Sequence, residues 1–231
     1  MKIKLALFDF DGTMLNSTEK AMGNHQNLAR ESGIQVPSLE LLKEYWGSSW
    51  LDLVNVLAKK CNWSEKEKNF FIERYSQLSK SEMRYDFFPD VKEVLFGLRE
   101  QGIKVAILSS RVRESKKVFS ILNYLDFAGI DKNLFTFIQG VEDCPFLKPD
   151  PRVFLPIVKH AQRLSISQDE IVYVGDTVKY DFVPANKSPI DFMGMVSGAS
   201  EKEDFMKVGV PEIQIIKSLS QVLKVIKKCK K

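Results

Sequence analysis

Two aspartates, Asp9 and Asp11, follow a short apolar segment and are separated by one residue. In an extended backbone, residues two apart project to the same side, with Cα atoms about 6.5–7 Å apart. A phosphoryl group fits between two carboxylates at that spacing. Because carboxylates alone would repel a phosphate, such a site also requires cations. The pair therefore predicts phosphoryl chemistry, provided that cationic groups lie close by.

Other polar residues that could complete such a site follow later apolar segments. Ser109 and Ser110 follow one, Asp176 follows another with Asp181 five residues on, and Lys148 stands just before a predicted helix. The lysine ammonium group and the serine hydroxyls can hold phosphate oxygens. A cluster whose ligands are all carboxylates suits Mg²⁺ better than Zn²⁺. The predicted magnesium ligands are Asp9, Asp11, Asp176 and Asp181.

Each of these motifs alone also has a structural explanation. Asp-Gly is a common turn, serine often caps a helix, and Lys-Pro often marks a loop. Their joint occurrence at successive strand ends favours a single site over several unrelated turns.

The elements that position these residues alternate between strand and helix patterns. Apolar runs predict buried strands, and between them helices are predicted at 90–101, 112–125 and 151–164, with Ser218 capping a final helix. This alternation predicts βαβ units and an α/β fold with a Rossmann-like parallel sheet flanked by helices. In such a sheet, ligands bind beyond the carboxyl ends of the strands, where the polar residues lie. The predicted strands are 5–10, 103–108, 135–138, 171–174, 190–196 and 213–216.

Residues 16–86 interrupt this alternation because they carry helix formers and no strand signal. Helices are predicted at 39–43, 50–60 and 65–79. Structureless connections of this length are rare in compact domains. We therefore predict an inserted helical cap domain at 16–86 and a core domain formed by 1–15 and 87–231.

Composition excludes several classes of protein. The chain has 231 residues, of which 44% are hydrophobic and 28% charged, which is typical of a soluble globular protein. The sequence contains no run of about 20 apolar residues that could span a membrane and no signal peptide, so we expect a cytoplasmic location. The net charge of +4 reflects a lysine-rich C-terminus, and no nucleic-acid partner is expected. Cys61, Cys144 and Cys229 are predicted to be reduced.

The motifs resemble those of the haloacid dehalogenase-like hydrolase superfamily, whose members carry Asp-x-Asp-x-Thr, then Ser or Thr, then Lys, then an acidic pair. The small helical cap after the first strand is similar to that of its phosphatases, with phosphoglycolate phosphatase among the nearest. The dehalogenase and phosphonate-cleaving branches lack an acid equivalent to Asp11, so the resemblance implies a phosphatase or a sugar phosphomutase. It implies Asp9 as nucleophile, Asp11 as general acid and base, Ser109 and Lys148 as phosphate holders, and Asp176 and Asp181 as acids beside Mg²⁺.

Substrate specificity is expected to depend on the cap. The resemblance implies that the loop with Gly47, Ser48, Ser49 and Trp50 faces the site, although the tryptophan equally suits a cap core. Arg111 could bind a substrate carboxylate or simply be exposed. Two positions, Asn16 and Ser110, depart from many relatives, which leaves the small phosphorylated metabolite unnamed. A non-catalytic interaction protein that keeps the fold remains an alternative, and oligomeric state is not predicted.

Overall fold

In the part of the chain that the structure describes, six parallel strands form one sheet. The computed structural model describes residues 3–78, 84–116 and 119–228. Along the sheet the strand order is β3-β2-β1-β4-β5-β6, so β1 lies in the middle. The α/β prediction with a parallel sheet is therefore confirmed. The strands are β1 (Leu5–Phe8), β2 (Lys104–Leu108), β3 (Phe137–Gln139), β4 (Ile171–Gly175), β5 (Asp191–Met195) and β6 (Ile215–Ile216).

Ten α-helices connect and cover these strands in the described residues. Serines cap four of them, because the Ser38, Ser49, Ser64 and Ser120 hydroxyls accept hydrogen bonds from backbone N–H groups of the first turn. The helices are α1 (Thr18–Glu31), α2 (Leu39–Tyr45), α3 (Trp50–Lys60), α4 (Glu65–Ser76), α5 (Val91–Glu100), α6 (Ile121–Phe127), α7 (Leu155–Arg163), α8 (Val183–Lys187), α9 (Lys202–Lys207) and α10 (Ser220–Lys228).

Both faces of the sheet are buried. Alternate residues of β1 belong to two different apolar clusters: Ala6 and Phe8 to one, Leu5 and Leu7 to the other. A parallel sheet with helices on both faces needs apolar side chains on both, which explains why its strands are continuous apolar runs. The first cluster continues into α1–α4, so those helices share a core with the sheet.

The segment predicted as an insertion contains α1–α4. The chain leaves and re-enters the sheet layer at adjacent points, because Asn16 N–H donates to the Asp86 carbonyl (2.8 Å) and Phe88 N–H donates to the Met14 carbonyl (2.9 Å). These contacts lie close to the predicted boundaries at residues 15 and 87. The division into a core and a cap domain stays a prediction.

Several predicted boundaries are wrong. The first strand ends at Phe8 rather than at residue 10, because the chain turns at Asp11 and Gly12. The helix predicted at 112–125 begins only at Ile121. Before it, the Arg113 and Glu114 N–H groups donate to the Glu142 carboxylate, which holds that part of the chain away from helical pairing.

The remaining differences concern two later helices. A 3₁₀ turn, Pro151–Phe154, precedes α7 within the helix predicted at 151–164. The final helix begins at Ser220, whose N–H donates to Asp90 Oδ2 (2.7 Å). The predicted capping by the Ser218 side chain stays a prediction. The Ser218 hydroxyl lies 2.9 Å from the Ser220 hydroxyl.

Other predictions concern composition. Within the described part of the chain, no helix combines the length and apolarity needed to cross a bilayer. Cys61 and Cys144 are free and buried. Cys229, Lys230 and Lys231 lie outside the described residues.

Candidate active site

The predicted site residues meet at one edge of the sheet. Asp9 directly follows β1, Ser109 follows β2 and Asp176 follows β4. Because these neighbouring strands are parallel, their carboxyl ends lie side by side. The backbone pairing continues past the strands, since Asp9 N–H donates to the Val174 carbonyl (2.8 Å) and thereby fixes the first aspartate relative to β4.

Lys148 lies at the centre of a buried polar network. Its Nζ donates to Asp9 Oδ1 (2.6 Å), to Asp181 Oδ1 (2.7 Å) and to the Tyr173 hydroxyl (3.0 Å). The lysine side chain is only 2% exposed. Three acceptors therefore satisfy all three N–H bonds of an ammonium group that has almost no access to water. The binding of phosphate oxygens by this lysine stays a prediction.

Asp181 organises this network from the far side. Its Oδ1 accepts from Lys148 and from the Tyr173 hydroxyl (2.7 Å), while its Oδ2 accepts from the Thr177 N–H (3.0 Å) and hydroxyl (2.6 Å). Asp181 belongs to a π-helical turn, Val178–Phe182, which directs its side chain towards β4. Four hydrogen bonds use most of the lone pairs of this carboxylate.

Burial and charge shift the ionisation of the site. Burial raises the pKa of Asp9 to about 7, even though the Lys148 charge opposes that shift. Burial, together with the charges of Asp181 and Asp9, raises the pKa of Asp176 well above its ordinary value. For Lys148, burial by itself would lower the pKa, but the two carboxylates outweigh burial and raise it. The site thus holds more carboxylates than its own cation can neutralise.

The unbalanced carboxylates fit a divalent cation. Asp9, Asp176 and Asp181 each offer an oxygen within 4.8 Å of the others. Asp176 Oδ2 is buried and has no hydrogen-bond partner among the described residues. The turn at Gly12 leaves room beside it: a Cβ on this residue would lie 2.2 Å from Asp176 Oδ2 and 2.7 Å from Thr18 Oγ1, which is also unpartnered. A buried carboxylate oxygen without a donor, beside a turn that only glycine allows, suits Mg²⁺ with its waters.

The Asp11 carboxylate is not part of that cluster. It forms a bidentate ion pair with Arg111, whose Nη2 lies 2.7 Å from Oδ1 and whose Nε lies 2.9 Å from Oδ2. The Ser17 hydroxyl donates to Oδ1 as well (3.0 Å). Burial by itself would raise the pKa of Asp11, but the Arg111 charge and these hydrogen bonds hold it below its ordinary value. The contacts of the Asp11 side chain therefore do not show it as a magnesium ligand, and that role stays a prediction.

The two serines after β2 have different contacts. The Ser109 hydroxyl accepts from the Arg111 N–H (3.0 Å), and its own proton stays available for a ligand oxygen. The Ser110 hydroxyl donates to the Gly47 carbonyl (2.7 Å). Ser110, predicted as a phosphate holder, thus joins the sheet edge to the loop between α2 and α3. Its binding of phosphate stays a prediction.

The loop between α2 and α3 packs on the core. Gly47 has a φ of +98°, and a Cβ there would lie 2.9 Å from Tyr180 Cβ. Lys179 Nζ lies 4.0 Å from the centre of the Tyr45 ring, which adds a cation–π contact between the last residue of α2 and the π-helical turn. These contacts hold the loop against the turn that carries Asp181. The role of the loop in specificity stays a prediction.

The other residues of that loop have structural contacts of their own. Ser48 donates to the Tyr45 carbonyl (2.8 Å), and Ser49 caps α3 while its hydroxyl donates to Asp52 Oδ2 (2.6 Å). The Trp50 ring packs on Tyr75 with ring centres 4.8 Å apart, and its buried Nε1–H has no partner in the described structure. Substrate contact by these three residues stays a prediction.

Two residues of the network were not identified from the sequence. Tyr173 lies in the middle of β4 and resembles any apolar core residue of a buried strand. Thr177 follows the predicted Asp176 directly, so its position next to a strand end was the available signal. Both donate hydrogen bonds to Asp181. Neither is charged, so a search of the sequence for ionic groups does not find them.

Comparison with known proteins relates the chain to one family. The profile of the haloacid dehalogenase-like hydrolase family matches residues 6–195. A protein of Caldanaerobacter subterraneus subsp. tengcongensis, provisionally named pyrophosphatase PpaX, is 28% identical over 236 residues, covering 99% of this chain and 97% of its own length. Phosphoglycolate phosphatase of Psychrobacter arcticus is 23% identical over 223 residues, covering 92% of this chain and 91% of its own.

A solved structure supports the same fold. The crystal structure of a predicted phosphatase from Clostridium acetobutylicum superimposes with a TM-score of 0.74 at 21% identity, covering 99% of this chain and 100% of that one. At this level of identity the likeness concerns the fold alone. The overall path of the chain, from the first strand through the inserted helices to the last, therefore recurs in a second protein.

Proposed function

The chain belongs to the haloacid dehalogenase-like hydrolase family, and on that premise we propose that it is a Mg²⁺-dependent phosphatase that hydrolyses a small phosphomonoester. The observation that carries the proposal is the position of Asp9. This carboxylate lies at the carboxyl end of the central strand, 2.6 Å from the Lys148 ammonium group and beside Asp176, whose Oδ2 has no hydrogen-bond partner among the described residues. Nucleophile, fixed cation and metal-binding carboxylates thus meet where an open parallel sheet binds ligands.

In the first step, an Asp9 oxygen attacks phosphorus and the ester oxygen leaves, so the phosphoryl group becomes bonded to Asp9. Asp11 donates a proton to the leaving oxygen, which departs as an alcohol. The Lys148 charge beside Asp9 stabilises the phosphoryl group electrostatically, and the Ser109 hydroxyl donates to one of its oxygens during transfer.

In the second step, a water molecule attacks the phosphoryl group on Asp9. Asp11 takes a proton from that water, the bond between phosphorus and Asp9 breaks, and inorganic phosphate leaves.

Asp9 and Asp176 would hold Mg²⁺, with Asp181 beside them. When bound, the ion neutralises the carboxylates and the charge that develops on the phosphoryl oxygens.

The proposed substrate is a small phosphorylated metabolite of the phosphoglycolate type. Support comes from the names of two relatives, one a phosphoglycolate phosphatase and one a pyrophosphatase. The helices α1–α4 are proposed to act as the cap that covers the site. A cytoplasmic location is part of the same proposal.

Hydrolysis of 4-nitrophenyl phosphate tests the proposal. We expect turnover with Mg²⁺, none in excess chelator, and recovery when Mg²⁺ is restored. Asp9→Asn should abolish turnover, because the amide cannot act as the nucleophile. Asp126→Asn, at an exposed position on α6, makes the same chemical change away from the site and should retain the wild-type rate.

Assays with hexose phosphates and with 4-nitrophenyl phosphate separate the alternatives. A sugar phosphomutase would return the phosphoryl group to a sugar hydroxyl, so hexose phosphates would isomerise faster than inorganic phosphate accumulates. A non-catalytic protein would release no phosphate at any Mg²⁺ concentration. Full activity in excess chelator would contradict the proposed use of Mg²⁺.

A further inference from the structure

The contacts of Arg111 conflict with the role proposed for its partner. Its guanidinium group donates to both oxygens of Asp11, at 2.7 and 2.9 Å, and the Ser17 hydroxyl donates to one of them at 3.0 Å. The proposed reaction requires the Asp11 carboxyl group to contact the leaving oxygen of the substrate. While the bidentate pair persists, Arg111 competes with the leaving oxygen for the Asp11 carboxyl group.

Contacts of its backbone and of its side chain hold Arg111 next to the proposed phosphate site. Its N–H donates to the Ser109 hydroxyl (3.0 Å), and its Nη1 donates to the Phe119 carbonyl (2.9 Å). The guanidinium carbon lies 5.1 Å from the centre of the Tyr124 ring. The arginine thus borders the proposed phosphate site next to Asp11, the residue proposed to protonate the leaving group.

An incoming anion is needed to separate the pair. The Arg111 side chain is 19% exposed, so its cation has limited access to water. Removing the anionic partner of a mostly buried cation is strongly unfavourable unless another anion replaces it. Within the described residues, Asp11 supplies the carboxylate oxygens that Arg111 contacts, so the replacement has to come from the ligand.

We propose that Arg111 is a specificity-determining residue: it binds a second anionic group on the leaving-group side of the substrate, and this exchange releases Asp11 to contact the leaving oxygen. The inference rests on the proposed phosphatase function and names its substrate class. That class comprises small phosphate esters or anhydrides with a carboxylate or a second phosphate a few atoms from the bridging oxygen. The planar guanidinium group, with its fork of donors, matches both anions.

Paired substrates test the inference. Phosphoglycolate and ethyl phosphate differ by a carboxylate in place of a methyl group, and pyrophosphate and methyl phosphate provide a second pair for the phosphate case. Arg111→Gln should lower kcat/KM for the anionic member by about 10- to 100-fold, the loss of one or two charge-assisted hydrogen bonds. It should raise kcat/KM for the neutral member, because Asp11 is no longer occupied.

Arg113→Gln is the matched control. This arginine lies two residues further on, is 41% exposed and pairs with Asp143 (2.9 Å), so the same charge is lost outside the site. It should leave the ratio of kcat/KM within each substrate pair unchanged. Arg111→Lys keeps the charge but loses the bidentate geometry, so its ratio should lie between those of the wild type and Arg111→Gln.

Added acetate tests the inference without a substitution. Acetate can take the position of the missing carboxylate, so it should accelerate hydrolysis of ethyl phosphate by the wild type and have no effect on Arg111→Gln. The wild-type measurement decides the matter even if the glutamine variant does not fold.

Two outcomes would overturn the inference. If Arg111→Gln lowers both members of each pair equally and acetate has no effect on the wild type, Arg111 only stabilises the site and the phosphatase function stands. If the wild type hydrolyses none of these compounds and no 4-nitrophenyl phosphate, the proposed function fails and the inference fails with it.

Discussion

The Lys148 ammonium group lies 2.6 Å from Asp9 Oδ1, and both side chains are almost fully buried. The two residues are 139 positions apart in the chain, so their pairing depends on the whole sheet being assembled. A second carboxylate, Asp181, lies 2.7 Å from the same nitrogen. One buried cation therefore keeps two buried anions together.

Lys148→Met should destabilise the protein strongly. The substitution keeps the length of the side chain but leaves Asp9 and Asp181 without their shared cation. Removing one partner of a buried ion pair costs about 3–5 kcal/mol in free energy of unfolding. Urea denaturation of the metal-free protein measures this difference.

Two further variants test the cause. Lys148→Met combined with Asp181→Asn should recover part of the lost stability, because one uncompensated charge is removed. Lys202→Met removes an exposed lysine paired with Glu212 and should change stability little. A small effect of Lys148→Met would mean that water reaches the carboxylates in solution.

The sequence predicted the sheet better than it predicted the partners of the site residues. The strands were found because a parallel sheet buried on both faces requires apolar runs, such as that of β4. The polar residues at the strand ends were recognised as one site because parallel strands bring their carboxyl ends to one edge of the sheet. What each polar group pairs with depends on distances across the fold.

Arg111 and Asp11 illustrate this limit. They are 100 residues apart, and nothing in either local sequence indicates a bidentate ion pair. The helix predicted at 112–125 failed for a similar reason, because the Glu142 carboxylate, far along the chain, accepts the N–H groups that a helix would use. Local sequence patterns predict local hydrogen bonding. Here the Glu142 side chain, which is distant in sequence, accepts the N–H groups that a helix would otherwise use.

Magnesium should stabilise the protein more at pH 8 than at pH 5. Burial raises the folded-state pKa of Asp9 from 3.8 to about 7 and that of Asp176 upward as well. A raised carboxyl pKa means that the fold binds protons more tightly than the unfolded chain. The resulting destabilisation is absent below about pH 4, grows as the pH rises and, for Asp9, is complete above about 7.

Mg²⁺ competes with those protons, so its stabilising effect should grow over the same pH range. The measurement is the difference in melting temperature between Mg²⁺ and chelator at each pH. Asp176→Asn should raise the metal-free melting temperature, because it removes a buried charge without a partner, and should reduce the effect of Mg²⁺. An effect of Mg²⁺ that is independent of pH would contradict the assignment.

Gly47→Ala should impair both stability and activity. Gly47 has a φ of +98°, and a Cβ would lie 2.9 Å from Tyr180 Cβ, so the loop between α2 and α3 would have to move away from the core. That movement would also break the hydrogen bond from Ser110 to the Gly47 carbonyl. We expect a loss of more than about 1–2 kcal/mol, the strain of a positive φ alone.

Gly33→Ala separates the cost of backbone strain at a positive φ from the cost of the contact with Tyr180. Gly33 also has a positive φ, +66°, but nothing lies within 4 Å of the place that an alanine Cβ would take, so only the backbone strain remains. Its variant should lose less stability and keep the wild-type kcat/KM for 4-nitrophenyl phosphate. Equal losses of stability in the two variants would show that the contact between an alanine Cβ and Tyr180 adds no cost to the backbone strain.

Asp11→Asn should separate the two steps of the proposed reaction. Asp9 remains able to attack phosphorus, but both proton transfers are lost, and such transfers typically contribute about 10²–10⁴ in rate. An aryl phosphate has a good leaving group that needs little protonation, so the first step should largely survive while hydrolysis of the phosphorylated Asp9 slows. Rapid mixing should therefore show a burst approaching one equivalent of phenol, then a slow steady state. Mass analysis of the quenched protein should find the phosphoryl group on the peptide containing Asp9, and Asp9→Asn should give neither burst nor adduct. Linear turnover near the wild-type rate would show that Asp11 is not the acid and base.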